Sequence, residues 1–278
     1  MTSVFENGGN IGVDMDFNDD ERYMLTGDAV SFVSGTSGDL NLTDTFAYPS
    51  GIQADDFIIA IQASDGADVS TPPTDSSSTE YNTLLQETDN FPNCTIWYKL
   101  ADGTESGTNI VFTRSDGKGA MALQIFRGVD KNNPFDVSYT SDAGGSGDPD
   151  PPAITTVTDN AMVVILGALD DDTSLTYSLP SGYSNLNYAY ASSPSGAACS
   201  VGMASKLIAS AGEENPPVFT TSGDDCWHAV TIALRPVCTG NIKNSGIWSL
   251  KAVSDALALA NEVRFIDSLF TLALRPAH

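Results

Sequence analysis

Short runs of β-branched and aromatic residues, set off by Gly, Pro, Asp and Ser, point to an all-β fold, a β-sandwich or jelly-roll-like body. Ala29–Val33, Phe57–Ala63, Thr95–Leu100, Ile110–Thr113, Ala120–Arg127, Ala161–Leu169, Tyr183–Tyr190, Cys199–Ile208 and Trp227–Arg235 read as strands. None carries a helical period. In Thr95–Leu100 the residues Ile96, Tyr98 and Leu100 share one face, as alternation along a pleated strand requires. Many short strands with turn punctuation fit a sandwich.

An internal duplication is the second sign. The segment Asp56–Asp65 parallels Asn160–Asp170, and Tyr81–Leu84 parallels Tyr183–Leu186. Lys99-Leu100 stands before Val111-Phe112-Thr113 at the spacing that separates Lys206-Leu207 from Val218-Phe219-Thr220. Ala120–Val129 then parallels His228–Val237. The halves run over about residues 39–130 and 153–237 of a duplicated body at 28–237. One large pseudo-twofold sandwich is favoured over two small ones, because each half alone offers too few strands. Ser141–Pro152, free of strong apolar residues and rich in proline, reads as the linker between the halves.

Two segments flank the body. Residues 1–27 carry Asp14, Asp16, Asp19, Asp20 and Glu21 among Met15, Phe17, Tyr23 and Met24, the pattern of an N-terminal docking arm. Residues 238–278 read as an attachment or oligomerisation segment. Within them Leu250, Val253, Ala256, Leu257 and Ala260 fall at helical spacing, predicting a short helix over about 250–262. The tail Ser268–Ala277 repeats the Ala-Leu-Arg-Pro of Val230–Pro236 and reads as a strand that pairs with a sheet edge, its own or a neighbouring subunit's.

Composition narrows the partners. Lys and Arg number 12 against 36 Asp and Glu, for a net charge of −24. A polyanion without basic clusters repels phosphate backbones and anionic membrane surfaces, so neither nucleic acid nor membrane insertion is expected. The longest apolar runs fall short of a bilayer span, and the first residues lack the pattern of a secretory signal. At 41% hydrophobic and 17% charged residues, the chain builds a substantial core.

Candidate sites are sparse. Cys94, Cys199, Cys226 and Cys238 have no metal or redox spacing, and the first three fit small buried thiols, leaving the disulfide state open. The histidines are His228 and His278. His228 lies near Asp224 and Asp225, but the chain has no Gly-x-Ser-x-Gly elbow to supply a nucleophile. With 36 acids, paired carboxylates are uninformative, and no catalytic residue or cofactor is assigned. Arg127 and Arg235 occupy equivalent repeat positions and read as braces for a carboxylate or for loop carbonyls. Calcium is the most plausible ion. Asp14–Asn18 begins like an EF-hand loop but fails at its glycine and closing acid, which leaves Asp170, Asp171 and Asp172 as weak ligand candidates. Tyr183, Tyr188 and Tyr190 are weak candidates for a glycan-binding platform.

Several motifs carry a family resemblance. They are Ala29–Val33, Gln53–Asp56, Ile96–Lys99, Phe126–Asp130 with Asn133–Asp136, and Ala229–Pro236. Together they resemble β-rich virion structural proteins of tailed bacteriophages, marine phages and cyanophages above all. Phe5–Gly12 and Gly246–Leu250 resemble end segments of phage tail and fibre proteins. The resemblance implies a non-enzymatic virion component, made in the host cytoplasm and placed on the particle surface. It implies a fibre, tail or neck appendage that contacts other virion proteins and itself, as a homo-oligomer and by local symmetry a trimer. Adhesion to a host surface glycan is a further expectation. A capsid decoration protein is the alternative, and a carbohydrate-active depolymerase is the alternative of another class.

Overall fold

A computed structural model describes residues 5–7, 10–12, 29–41, 43–64, 71–88, 92–114, 118–170, 176–191 and 198–237. Nineteen strands and no helix occur among them. In chain order they are β1 (Phe5–Asn7), β2 (Asn10–Gly12), β3 (Ser31–Leu40), β4 (Thr43–Ala47), β5 (Phe57–Ser64), β6 (Thr74–Asp75) and β7 (Asn82–Glu87). There follow β8 (Asn93–Leu100), β9 (Asn109–Thr113), β10 (Gly119–Arg127), β11 (Thr140–Gly144), β12 (Ile154–Thr155) and β13 (Ala161–Asp170). The last are β14 (Tyr177–Ser178), β15 (Ser184–Ala191), β16 (Cys199–Ile208), β17 (Glu213–Glu214), β18 (Thr220–Thr221) and β19 (Trp227–Leu234). β3 to β19 belong to one compact unit, residues 26–240, and the β1–β2 antiparallel pair lies in a separate one. The N-terminal acidic cluster, the 250–262 helix, the C-terminal strand-like tail, Cys238 and His278 fall outside the described residues.

The body is all-β and sandwich-like, and its duplication extends to topology. One sheet has the order β3-β10-β5-β8-β7 and the other β11-β19-β13-β16-β15. Replacing each strand of the first by its repeat counterpart gives the second. All pairings within both sheets are antiparallel. The sheets pack face to face, with β15 against β3 and β10, and β16 against β10 and β5. The equivalent strand ends meet where Val129 bridges Pro236 and the Val237 amide donates to the Gly128 carbonyl at 2.7 Å.

One core lies between the sheets. Phe57, Ile59, Ile61, Ile96, Ala122 and Phe126 of the first sheet meet Val164, Leu166, Val201, Met203, Val230 and Ile232 of the second. The alternate residues of the same strands face outward and are buried as well. Ile58, Ala60, Trp97, Leu123 and Ile125 lie beneath the three-stranded cover β4-β9-β6, with Ile110 and Phe112 from β9. Val163, Ile165 and Ala204 lie beneath the pairs β12-β17 and β14-β18, with Ile154, Tyr177 and Phe219. A strand covered on both faces needs no polar alternation, which is why Phe57–Ala63 and Ala161–Leu169 read as continuous apolar runs.

Three expectations need correction. The stretch assigned as a linker, Ser141–Pro152, begins inside an edge strand, β11, which pairs with β19 from Thr140↔Thr231 to Gly144↔Trp227. Its burial pattern is mixed and its residues are small or polar, because an edge strand bonded on one side needs no apolar face. The first strand of the body runs over Ser31–Leu40, longer and later than Ala29–Val33. The sheets therefore draw on residues outside 39–130 and 153–237, since β3 starts before the first range and β11 precedes the second.

Candidate functional site

The most concentrated polar chemistry lies inside the body, on the outer face of the first sheet. Along β8, Lys99 falls on the face that carries Trp97, so its stem enters the layer beneath the β4-β9-β6 cover. The Lys99 side chain is 1% exposed. Its Nζ lies 2.7 Å from Asp75 Oδ2, 2.9 Å from Glu105 Oε1 and 2.6 Å from Ser77 Oγ. Asp75 belongs to β6, in the cover, and Glu105 to the loop between β8 and β9. The Tyr48 hydroxyl donates to Asp75 Oδ2 and lies 2.9 Å from the Tyr81 hydroxyl. The Tyr48 and Tyr81 rings stand 5.8 and 5.1 Å from the ammonium. The Ser77 amide donates to Asp75 Oδ1 at 2.8 Å, and the Asp102 and Gly103 amides donate to Glu105 at 3.1 and 2.9 Å.

The electrostatics follow from that geometry. Burial works to raise the Asp75 carboxyl, but hydrogen bonds from Lys99, Ser77 and Tyr48 outweigh it and hold the group below its ordinary value. Burial pushes the Tyr48 and Tyr81 phenols far above theirs. The second half repeats the motif in reduced form. Lys206 Nζ meets both Glu214 oxygens at 2.8 Å, beneath the Tyr183 ring at 5.7 Å, and the Lys206 side chain is 35% exposed.

The sequence-predicted residues scatter. Tyr183 is buried, its hydroxyl donating to Glu214 at 3.2 Å, so it lines the Lys206 cluster and presents no surface ring. Tyr188 is exposed and lies 6.1 Å from the Tyr177 ring, while Tyr190 is half-buried against Leu169, Trp227 and Ala229. Among the three tyrosines only Tyr188 stands open. Asp170 ends β13, its amide donating to the Cys226 carbonyl at 2.9 Å, and Asp171 and Asp172 lie outside the described residues. Among the described residues no group of three or more His, Cys, Asp or Glu side chains is placed to hold a metal ion.

His228 faces a shallow cavity of about 170 Å³ between the edges β7 and β11, lined by Leu85, Glu87, Ser141 and Asp142. Burial lowers its pKa, and the Glu87 charge partly offsets that. Its sequence neighbours are engaged elsewhere, Asp224 accepting from the Gly147 amide and Asp225 from the Cys226 amide. Arg127 clamps Asp56 through Nε at 2.8 Å and Nη2 at 2.7 Å, and Nη2 also donates to the Gly51 carbonyl. Arg235 lies 3.4 Å from Asp136 Oδ1 and donates to the Asp136 carbonyl. Both arginines are braces. Cys94 is a buried thiol pushed up to about 12, chiefly by burial, and the Cys199 thiol approaches the Ala63 carbonyl at 3.3 Å.

The Lys99 cluster was missed as a site, although a signal for it was present. A lysine sits inside an apolar strand at the same place in both repeats, and a charge there requires buried partners. Comparison of the chain with protein-family models, curated proteins and solved structures gives no match.

Proposed function

We propose that the chain is a non-enzymatic structural component of a tailed-bacteriophage particle, an appendage subunit of the fibre, tail or neck that exposes its β-body on the particle surface. One observation carries the reading. The motifs that resemble phage structural proteins are the joints of the body. Gln53–Asp56 supplies the carboxylate that Arg127 clamps. In Asn133–Asp136, Phe135 packs edge-on to Phe57 and Tyr98 of one sheet and bridges Leu234 of the other. In the same motif Asp136 accepts from the Val157 amide at 2.6 Å and pairs with Arg235. Ile96–Lys99 holds the cover through Lys99, and Ala229–Pro236 is the strand that ends at Arg235. Residues placed this way tie the two sheets and the cover together. Exposed Tyr188 supports a host-surface contact as an extension of that role.

Antibodies raised against the folded chain and imaged on purified particles test the reading. Label on the tail, neck or fibre is the expected result, label over the head assigns a capsid decoration protein, and particles lacking the chain overturn the proposal. Release of new reducing ends from host polysaccharide by the purified chain would replace it with the depolymerase alternative.

A further inference from the structure

We propose that Lys99 and Asp75 are joined by an intramolecular amide bond, which the folded chain forms by itself with Glu105 relaying the proton. The reacting groups are already in contact. Lys99 Nζ lies 2.7 Å from Asp75 Oδ2 and 2.9 Å from Glu105 Oε1, with all three side chains at most 3% exposed. Held in that geometry, amine and carboxyl act at a very high effective concentration, and little water reaches the product to reverse the step.

Charge supplies the driving force. One ammonium and two carboxylates leave a net negative charge in a layer walled by Tyr48, Tyr81 and Trp97, an arrangement that ordinary ion pairing compensates poorly. Condensation removes the ammonium and one carboxylate together. The remaining carboxylate, Glu105, keeps the Asp102 and Gly103 amide donors and gains the N–H of the new amide.

The step balances. In the reacting state, a minor one because the hydrogen bonds to Asp75 favour its carboxylate, a proton passes from the ammonium to Asp75 Oδ2 along their hydrogen bond, giving a neutral amine and a carboxylic acid. The Nζ lone pair then attacks Asp75 Cγ, while the Tyr48 hydroxyl and the Ser77 amide donate to the carboxyl oxygens. Glu105 takes one N–H proton and delivers it to the departing hydroxyl. The Nζ–Cγ bond forms, the Cγ–O bond breaks and one water leaves, with no oxidation or reduction.

The second half is a built-in control. Lys206 pairs with Glu214 alone at a half-exposed position, and β14, the counterpart of β6, carries Tyr177 and Ser178 in place of a carboxylate. Lys206 therefore stays an ion pair. The bond ties β8 of the first sheet to β6 of its cover, fastening a layer whose strand β6 is only two residues long.

Intact mass spectrometry of the denatured full chain tests this. The expected mass is about 18 Da, one water, below that of the sequence. Chymotrypsin cuts at Tyr81 and Tyr98, between the two positions, and should leave a branched peptide joining Asp75 to Lys99. E105Q should fold with a cooperative melt but keep its full mass, and D75N should lose ammonia in place of water. A wild-type chain at full mass overturns the proposal. So does a water loss mapped to an imide at an Asp-Gly step such as Asp102-Gly103.

Discussion

Asp56 is almost wholly buried, so its charge depends on Arg127 for compensation. Removing the guanidinium leaves the carboxylate to the Gln53 amide, which donates to it at 2.8 Å. R127A should therefore destabilise the fold by about 2–3 kcal/mol in urea unfolding, and R127K should recover part of that, since an ammonium cannot reproduce the two-pronged contact. His228 gives a pH dependence of definite sign. Its folded pKa lies below the ordinary 6.5 because burial disfavours the imidazolium, so between the two values the unfolded chain binds more protons. The stability contribution is full above about 6.5 and is lost as pH falls through that window, with Glu87 and Asp142 facing the same cavity. Thermal melts of the wild type against H228Q from pH 8 to 5 should show the variant losing less of its midpoint. Legibility at this scale was uneven. Arg127 and Arg235 could be read as braces because strand-ending arginines recur in register, but their acids could not be named. Asp56 precedes β5, whereas Asp136 lies in the crossing between the sheets and has no repeat counterpart in that role. The acids of the Lys99 cluster were hidden for the same reason, one lying 24 positions before the lysine on the two-residue strand β6 and the other 6 after it on the β8–β9 loop, a meeting that only the fold determines.

Elements buried on both faces depend on close approach. Gly202 in β16 lies under the Tyr177 ring of the cover pair β14-β18, and a Cβ there would stand 2.5 Å from ring carbon Cδ1. G202V should cost about 1–3 kcal/mol by overpacking, while G212A, whose Cβ meets nothing within 4 Å, should stay within about 0.5 kcal/mol of wild type. Denaturant midpoints of the pair isolate the layer contact from glycine content as such. Gly35 in β3 makes the matching close approach at the sheet interface, where a Cβ would meet Asn187 of β15 at 2.3 Å. The same physics decides which strands the sequence announces. β5, β10, β13, β16 and β19 are central, buried on both faces and rich in apolar residues, and their predicted ends fall within a residue or two of the observed ones. β4 and β11 are edge or cover strands with three of their five positions exposed, and their polar sequences carry no periodic signal above that of a loop. β7 carries a register shift near Leu85 that breaks the alternation that would mark it, whereas β15, with a shift at the equivalent place near Asn187, is still legible as Tyr183–Tyr190, within a residue of its observed ends.

At the scale of the whole molecule, the duplication determines what can fold alone. Each half contributes one five-stranded sheet with its own cover, so the outer faces are satisfied locally while the inner face is completed only by the other half. Gln124 shows how specific that completion is. From the inner face of β10 its Nε2 donates to the Asn185 carbonyl at 2.5 Å and to Asn187 Oδ1 at 3.1 Å, both on β15. The edges meet too, the Ser37 hydroxyl of β3 donating to the Tyr188 carbonyl at 2.7 Å. In a chain of net charge −24, the loop acids join this scheme. Asp148 accepts from the Thr221 amide and Asp224 from the Gly147 amide, tying the crossing segment to the end of the second half. A half produced alone would expose the inner-face residues Phe57, Ile59, Ile61 and Phe126, an apolar patch well beyond the few hundred Å² that soluble monomers tolerate. Fragments covering residues 29–139 and 140–237 should therefore each bind a hydrophobic dye and aggregate when made singly. Co-expressed, they should associate into a soluble one-to-one complex with a cooperative melt, because no chain connection is needed once the shared core forms. Two halves that each melt cooperatively as monomers would show the covers alone to be sufficient, and the shared core would then be a docking interface between independent domains.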